Sequence, residues 1–303
     1  MSQKYESPAA FKQALEHRLK AATPVGVPVA RTRQLAVFDR FLARIAVAFG
    51  DAATLKGGVA LELRLERART TKDIDLRIMG TPDGLLERLQ SAGRLDLGDF
   101  LFFELEPDPH QPDIDAEGMK YDGFRYRAEA RLAGKLYGQR FGVDVAFGDP
   151  ILDAAETVVA RDVFGFAGIV PPAIRIYPIE THIAEKLHAY TLPRRRTNSR
   201  VRDLPDLALL GTIRSLEAAR LCAAIAQTFA FRATHEPPKT LPEPPPAWRD
   251  TYAAMALEDS LPWSTLDVVF AAARTFVEPV LSDERCPPIW TSTSQRWQER
   301  DAP

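Results

Sequence analysis

The sequence predicts an α+β fold, with a mixed sheet and flanking helices over residues 1–160 and a mainly α-helical second domain over residues 161–303. Three observations predict it. Strand-like runs crowd the first half, at residues 73–78, 100–105, 121–132 and 139–147. Apolar residues at helical spacing fill most of the second half. Between the two, residues 150–172 read as a boundary closed by Pro171-Pro172. A chain of 303 residues is long for one core and comfortable for two.

Each element has a local reason. Ser7-Pro8 ahead of Ala9-Ala10-Phe11 starts a helix, with Ser as cap and Pro in the first turn, and sets Phe11, Leu15 and Leu19 on one face. Residues 32–49 repeat Leu35, Phe38, Phe41, Leu42, Ile45 and Phe49 at helical spacing. Gly57-Gly58 allows a tight turn whose backbone N–H groups come close to an anion. The next residues are ambiguous by pattern. Leu61, Leu63 and Leu65 alternate with Glu62, Arg64 and Glu66 as in a strand, yet Ala60 to Arg64 are all good helix formers. Asp73-Ile74-Asp75-Leu76-Arg77-Ile78 reads as a strand that points Asp73 and Asp75 to one face, roughly 7 Å apart. Thr81-Pro82-Asp83 opens a helix through Ala92, and residues 107–117, rich in Pro and Asp, form a loop. Asp144 is the one acid in the apolar run 141–147; burying it unpaired is costly, so it should face a metal, a base or solvent.

In the second half, Tyr177-Pro178-Ile179-Glu180-Thr181 begins a helix that buries Ile183, Leu187 and Tyr190 and leaves Glu185, Lys186 and His188 partly outward. His188 reads as structural, because no His or Cys neighbours it at metal-ligand spacing. An arginine-rich loop, with Arg194, Arg195, Arg196 and Arg200, runs into Arg202. If residues 201–210 are helical, Pro205 falls in the first turn, where it is tolerated, and Asp203 is the cap. Helices follow over 216–231, 248–257 and 266–281, the prolines between 237 and 246 make an extended spacer, and the tail folds back through Trp290 and Trp297.

Composition bounds the function. A net charge of -2 gives no overall attraction to nucleic acid, so any RNA contact needs a local basic patch. Two cysteines, Cys222 and Cys286, are too few for a secreted disulfide framework, and a reducing cytoplasm is the expected home. No signal peptide or membrane-spanning run is read, so no membrane partner is expected. The acidic pair carries the chemistry: two carboxylates at that spacing can share Mg²⁺ with a triphosphate, because Mg²⁺ takes one or two carboxylates together with substrate phosphates.

Gly57-Gly58, one short element and Asp73-x-Asp75, written KGGVALELRL and TTKDIDL, resemble the opening motif of the DNA polymerase β-like nucleotidyltransferases. Within that superfamily they are similar to the AbiEii/MenT toxins of bacterial toxin–antitoxin and phage-defence systems. The resemblance implies a polymerase β-like catalytic domain and a helix after Gly58. It further implies that Asp144 is a third carboxylate, that Lys186 contacts nucleotide phosphates, and that Asp206, in Arg202-Asp203-Leu204-Pro205-Asp206-Leu207, is catalytic. On that reading Asp73, Asp75, Asp144, Lys186 and Asp206 form the catalytic set. Asp73, Asp75 and Asp144 would hold two Mg²⁺ ions, with Mn²⁺ as a substitute, and Gly57, Gly58, Lys72, Lys186, Arg196 and Arg200 would bind the NTP. The implied acceptor is RNA, at the tRNA 3′ end, and the implied protein partner is a cognate antitoxin. RNA would meet Arg194, Arg195, Arg196, Arg200 and Arg202, with Lys56, Arg67, Arg69 and Lys72 as a second cluster. Thr70 and Thr71 lie where a phosphate would compete with the triphosphate for metal. Three alternatives stay open: a transferase for a small molecule, one for a protein, and a non-catalytic binding protein.

Overall fold

The computed structural model describes residues 5–65, 71–113, 123–194, 198, 200–282 and 287–299. Helix α1 (Pro8–Ala22) starts where Ser7 Oγ accepts the Ala10 N–H at 3.2 Å, and it buries Phe11, Leu15 and Leu19. Helix α2 (Val29–Phe49) runs under the sheet and stops at Gly50, whose φ of 52° few other residues adopt. There follow β1 (Ala53–Lys56), α3 (Gly57–Leu65), β2 (Asp73–Ile78), α4 (Leu85–Gly93), β3 (Leu101–Pro107), β4 (Gly123–Leu132), β5 (Lys135–Leu136), β6 (Phe141–Ala146), β7 (Glu156–Val159) and β8 (Ala173–Ile176). The strands form one mixed sheet in the order β3-β4-β6-β2-β1-β8-β7, with β5 paired to β4. β2 runs parallel to β6 and antiparallel to β1, so it sits centrally and its residues have cross-strand neighbours on both sides.

One local expectation holds against the alternation of the sequence, and one shifts. The alternating leucines after Gly58 lie on a helix, because α3 serves two cores at once: Leu61 is buried in one, Leu63 packs on the other, and Leu65 returns to the first. Helix α4 begins at Leu85 and not at Thr81, since Gly84 is left-handed at φ 64° and interrupts the run. Strands β1, β7 and β8 escape the sequence pattern. They are four residues each, and β1 is buried on both faces and therefore shows no alternation.

Beyond Tyr177 the chain is mainly helical: α5 (Ile179–Thr191), α6 (Asp203–Ile213), α7 (Ala218–Arg232), α8 (Arg249–Glu258) and α9 (Leu266–Leu281). A small three-stranded ribbon of β9 (Leu216–Glu217), β10 (Ile289–Thr291) and β11 (Arg296–Gln298) closes it. The tail does fold back: Trp290 Nε1 donates to the Gly211 carbonyl at 2.7 Å and Trp297 Nε1 to that of Phe276 at 2.8 Å. One hydrophobic cluster spans Phe11 to Ile176, and a second takes Leu61 together with Ile179 onward. Drawn by core membership, the two units meet at residues 177–178, whereas the sequence pattern divides the chain at 160, because β8 pairs with β1 and belongs to the sheet. Among the described residues no helix is long and apolar enough to cross a membrane.

Candidate active site

The site lies at one end of β2. Along that strand Ile74, Leu76 and Ile78 are buried in the core, so Asp73, Asp75 and Arg77 share the opposite face. Asp75 is opposite Asp144 on β6 and opposite Lys56 on β1, and Asp144 is opposite Arg125 on β4. A row of Arg125, Asp144, Asp75 and Lys56 therefore crosses four strands, two adjacent acids with a cation at either end. A second row, Arg127, Gly142 and Asp73, lies two residues along. Gly142 sits tightly against Asp73: a Cβ there would come within 2.5 Å of Asp73 Oδ1, and its N–H donates to that oxygen at 3.3 Å.

Asp75 is the unusual group. No described residue donates a hydrogen bond to it, although it is half-buried. Burial and then the charge of Asp144 push its pKa up to about 6, with Asp73 adding to the rise and Lys56 and Lys186 opposing it. Gly57, at φ +66°, lies directly against the Asp75 carboxylate, and any Cβ at Gly57 would overlap Asp75 Oδ2. The glycine is required twice over, by its left-handed backbone and by that contact. Gly58 follows it into the buried first turn of α3, where backbone N–H groups have no acceptor within the helix.

Asp144 faces a base. Arg125 binds it in fork geometry, Nε to Oδ1 at 2.8 Å and Nη2 to Oδ2 at 2.7 Å. With both oxygens of Asp144 engaged, no three acidic, His or Cys side chains converge as a metal-binding group among the described residues. Asp73 and Asp75 do fit a hard cation, since Asp75 lacks a hydrogen-bond donor and two carboxylates with substrate phosphates suffice for Mg²⁺.

Lys186, on α5, faces the row from the helical unit and acts electrostatically on Asp75. Its Nζ lies 2.9 Å from Asp203 Oδ1 and 2.8 Å from Asp206 Oδ2, both carboxylates being buried in the first turn of α6. Asp203 thus spends its carboxylate on Lys186 and is not the helix cap; Arg202 occupies that position. Pro205 sits in the first turn, where its missing N–H costs nothing.

The neighbouring residue, Glu185, turns the other way into a buried network that sequence reasoning missed. Lys56 Nζ meets Asp149 Oδ2 at 2.5 Å and Glu185 at 3.5 Å, and Arg232 reaches Asp149 at 3.3 Å and Glu185 at 2.9 Å. Burial would raise Asp149, but Lys56 and Arg232 hold it below the ordinary carboxylate value. Lys56, expected on an RNA face, is buried instead and ties β1 to α5 through Glu185, with Arg232 of α7 on the same two acids. His188 is structural as expected but is buried where the helical pattern turned it partly outward: it bonds Thr234 Oγ1 at 2.7 Å, and burial pulls its pKa down to about 3.

The remaining expected cations divide. Lys72 is exposed beside Asp73, and Arg200 is exposed with Nε 4.0 Å from Asp203. Arg202 is exposed, while Arg194 reaches back to the Ala189 carbonyl at 3.4 Å. Arg196, with Arg67, Arg69, Thr70 and Arg195, lies outside the described residues. A hollow of about 250 Å³ lies behind Leu76, on the other face of the sheet, and holds none of these groups.

A strand-borne acidic pair against a left-handed glycine, a facing lysine from a helical unit, and a mixed sheet carrying them are the marks of the polymerase β-like nucleotidyltransferase fold. The nucleotidyltransferase toxin MenT4 of Mycobacterium tuberculosis H37Rv shares that fold, with a TM-score of 0.58 at 15% identity over 90% of each chain. Residues 40–271 match the family model described as nucleotidyl transferase AbiEii toxin, type IV toxin–antitoxin system, and the chain belongs to that family of nucleotidyltransferases. JHP933 of Helicobacter pylori is similar at a TM-score of 0.45 and 15% identity, over 83% of this chain and 93% of that one. The aminoglycoside nucleotidyltransferase ANT(2")-Ia, in complex with adenylyl-2"-tobramycin, is similar at 0.35 and 19% identity, over 66% and 97%. No curated protein matches the sequence significantly.

Proposed function

We propose that this chain is the toxin of a toxin–antitoxin pair and transfers NMP from an NTP to the 3′ end of an RNA, with tRNA as the acceptor, thereby blocking translation. The observation that carries the proposal is the placement of Asp73 and Asp75 on one face of β2, against Gly57 and within the field of Lys186. The N–H groups at Gly57 and Gly58 suit the triphosphate, because the first turn of a helix favours anions. Lys186, oriented by Asp203 and Asp206, presents its ammonium to the same phosphates.

Asp73 and Asp75 would hold Mg²⁺, with Asp144 joining once it exchanges Arg125. The metal's contribution when bound is to neutralise the triphosphate and acidify the acceptor hydroxyl. In the reaction a bond forms between the acceptor oxygen and the α-phosphorus as the α–β bridge breaks, and pyrophosphate leaves. Lys186 and the glycine turn hold the leaving phosphates, and Asp75, walled in by Gly57, keeps the reacting phosphorus at a fixed depth.

The test is incubation of the purified protein with each labelled NTP, Mg²⁺ and either total tRNA, small hydroxyl acceptors or bacterial lysate protein. The expected result is label at RNA 3′ ends, absent with Asp75→Asn. Label appearing on a small acceptor or on protein, with RNA untouched, overturns the acceptor assignment. Toxicity on expression that survives Asp75→Asn overturns the catalytic reading.

A further inference from the structure

A groove of about 380 Å³ opens beside Asp73 on the side away from Gly57. It is lined by Lys72, Asp73, Asp108, Arg125, Arg127, Arg140, Phe141 and Gly142, which sets four cations against two carboxylates. Arg125 is spent on Asp144, which leaves Lys72, Arg127 and Arg140 as the cations the groove offers a ligand. The groove's floor is Gly142, flanked in register by Arg127 on one side and Asp73 on the other. Lys72 is exposed and has no partner among the described residues. Arg127 and Arg140 reach solvent with 37% and 63% of their side chains exposed, each held by one carboxylate, Asp108 at 3.3 Å and Glu129 at 2.7 Å.

Position decides what this groove is for. The groups that suit the triphosphate, Gly57, Gly58 and Lys186, lie on the β1 and α5 side of Asp75, whereas the groove belongs to β6 and β4. Displacement at phosphorus is in line, so acceptor and leaving pyrophosphate sit on opposite sides of the α-phosphorus. With pyrophosphate toward β1, the acceptor hydroxyl comes from the β6 side, through the groove. Arginines there repel a polycationic acceptor and pair with a polyanionic one, by fork contacts to phosphate. Resting on the transfer reaction proposed above, we infer that this groove holds the phosphodiester backbone of the nucleic-acid acceptor, with Lys72, Arg127 and Arg140 as its phosphate contacts. The arginine cluster around residue 200 is then not the principal acceptor surface.

The experiment measures binding of a fluorescein-labelled tRNA transcript by anisotropy across a salt series, and binding of NTP by calorimetry, for the wild type and for Arg127→Gln/Arg140→Gln in the full chain. The expected loss of RNA affinity is about tenfold near 0.1 M salt, with the salt slope shallower by about 1.5, and NTP affinity within twofold of wild type. The single Lys72→Gln variant, at an exposed position with no described partner, gives a smaller loss in the same direction and guards against misfolding of the double variant. Unchanged RNA affinity in both variants overturns the inference, as does a loss of NTP affinity with RNA affinity retained, which would make the groove a nucleotide site. A wild type that labels RNA, while the variants keep the same KM for RNA, defeats the groove alone. A wild type that labels no RNA defeats the transfer reading itself.

Discussion

Asp99 and Asp75 are acids of the same sheet-and-helix unit, and the protein treats them in opposite ways. Asp99 is fully buried, yet it is met by Arg40 Nε at 2.6 Å, by Arg44 Nη1 and Nη2 at 2.9 and 2.7 Å, and by the Leu101 N–H at 3.0 Å. Burial alone would raise its pKa, but Arg44 and Arg40 outweigh burial and hold it below the ordinary value. Asp75 is less deeply placed and has no donor among the described residues, and its pKa rises to about 6. Where charge is compensated the acid is a strut between α2 and the chain entering β3. Where it is left wanting a cation, the acid belongs to the chemistry.

That contrast can be broken by mutation. Asp75→Asn should lower nucleotide transfer by at least about 10³-fold, equivalent to about 4 kcal/mol of transition-state stabilisation, as measured by single-turnover labelling. Asp99→Asn should cost about 3–5 kcal/mol in urea unfolding, because two buried guanidinium groups lose their counter-charge, and any activity of the folded fraction should be normal. Lys186→Met should do both in smaller measure: transfer falls, and the melting temperature drops as Asp203 and Asp206 are left buried together without a cation. Asp75→Asn should also raise stability by about 1 kcal/mol at pH 7, since it removes a half-buried charge held next to Asp144, with the discount that solvent screening demands. The least effect belongs to the exposed pair of Arg249 and Asp267, where Arg249→Ala should leave the urea midpoint unchanged.

The pH dependence sharpens the same point. A carboxyl whose folded pKa is about 6 against an ordinary 3.8 binds more protons folded than unfolded, so Asp75 contributes stability that falls as pH rises from about 4 through 6. His188 acts in the opposite sense: held near 3 against 6.5, it stays neutral in the fold and removes stability as pH falls below 6.5. In Asp75→Asn the first slope should vanish and the second remain, which stability measurements between pH 4 and 7 will separate.

Much of this was legible from residues alone, for a physical reason that differs by element. The Ser7 cap, the 266–281 helix and the one-sided placement of Asp73 and Asp75 depend on neighbours a few positions away, and local periodicity reports such neighbours well. β1 and the engagement of Asp144 by Arg125 were not legible. The first is a short run buried on both faces, and the second joins residues nineteen apart whose meeting depends on β4 and β6 pairing in one particular register. Lys56 misled for a related reason. Beside a glycine turn a lysine reads as a surface cation, and only the tertiary fold buries it against Asp149 and Glu185, which Arg232 of α7 also holds.

By itself the sequence determined the acidic pair, the glycine turn that approaches it, and the helical character of the second unit, since backbone conformation and side-chain direction along one strand or helix are set by adjacent residues. The tertiary structure alone decided which charges are cancelled and which are left exposed to a ligand. Cancellation is a matter of ångström distances between groups remote in sequence, and strand register together with the packing of α5 against α6 and α7 fixes those distances.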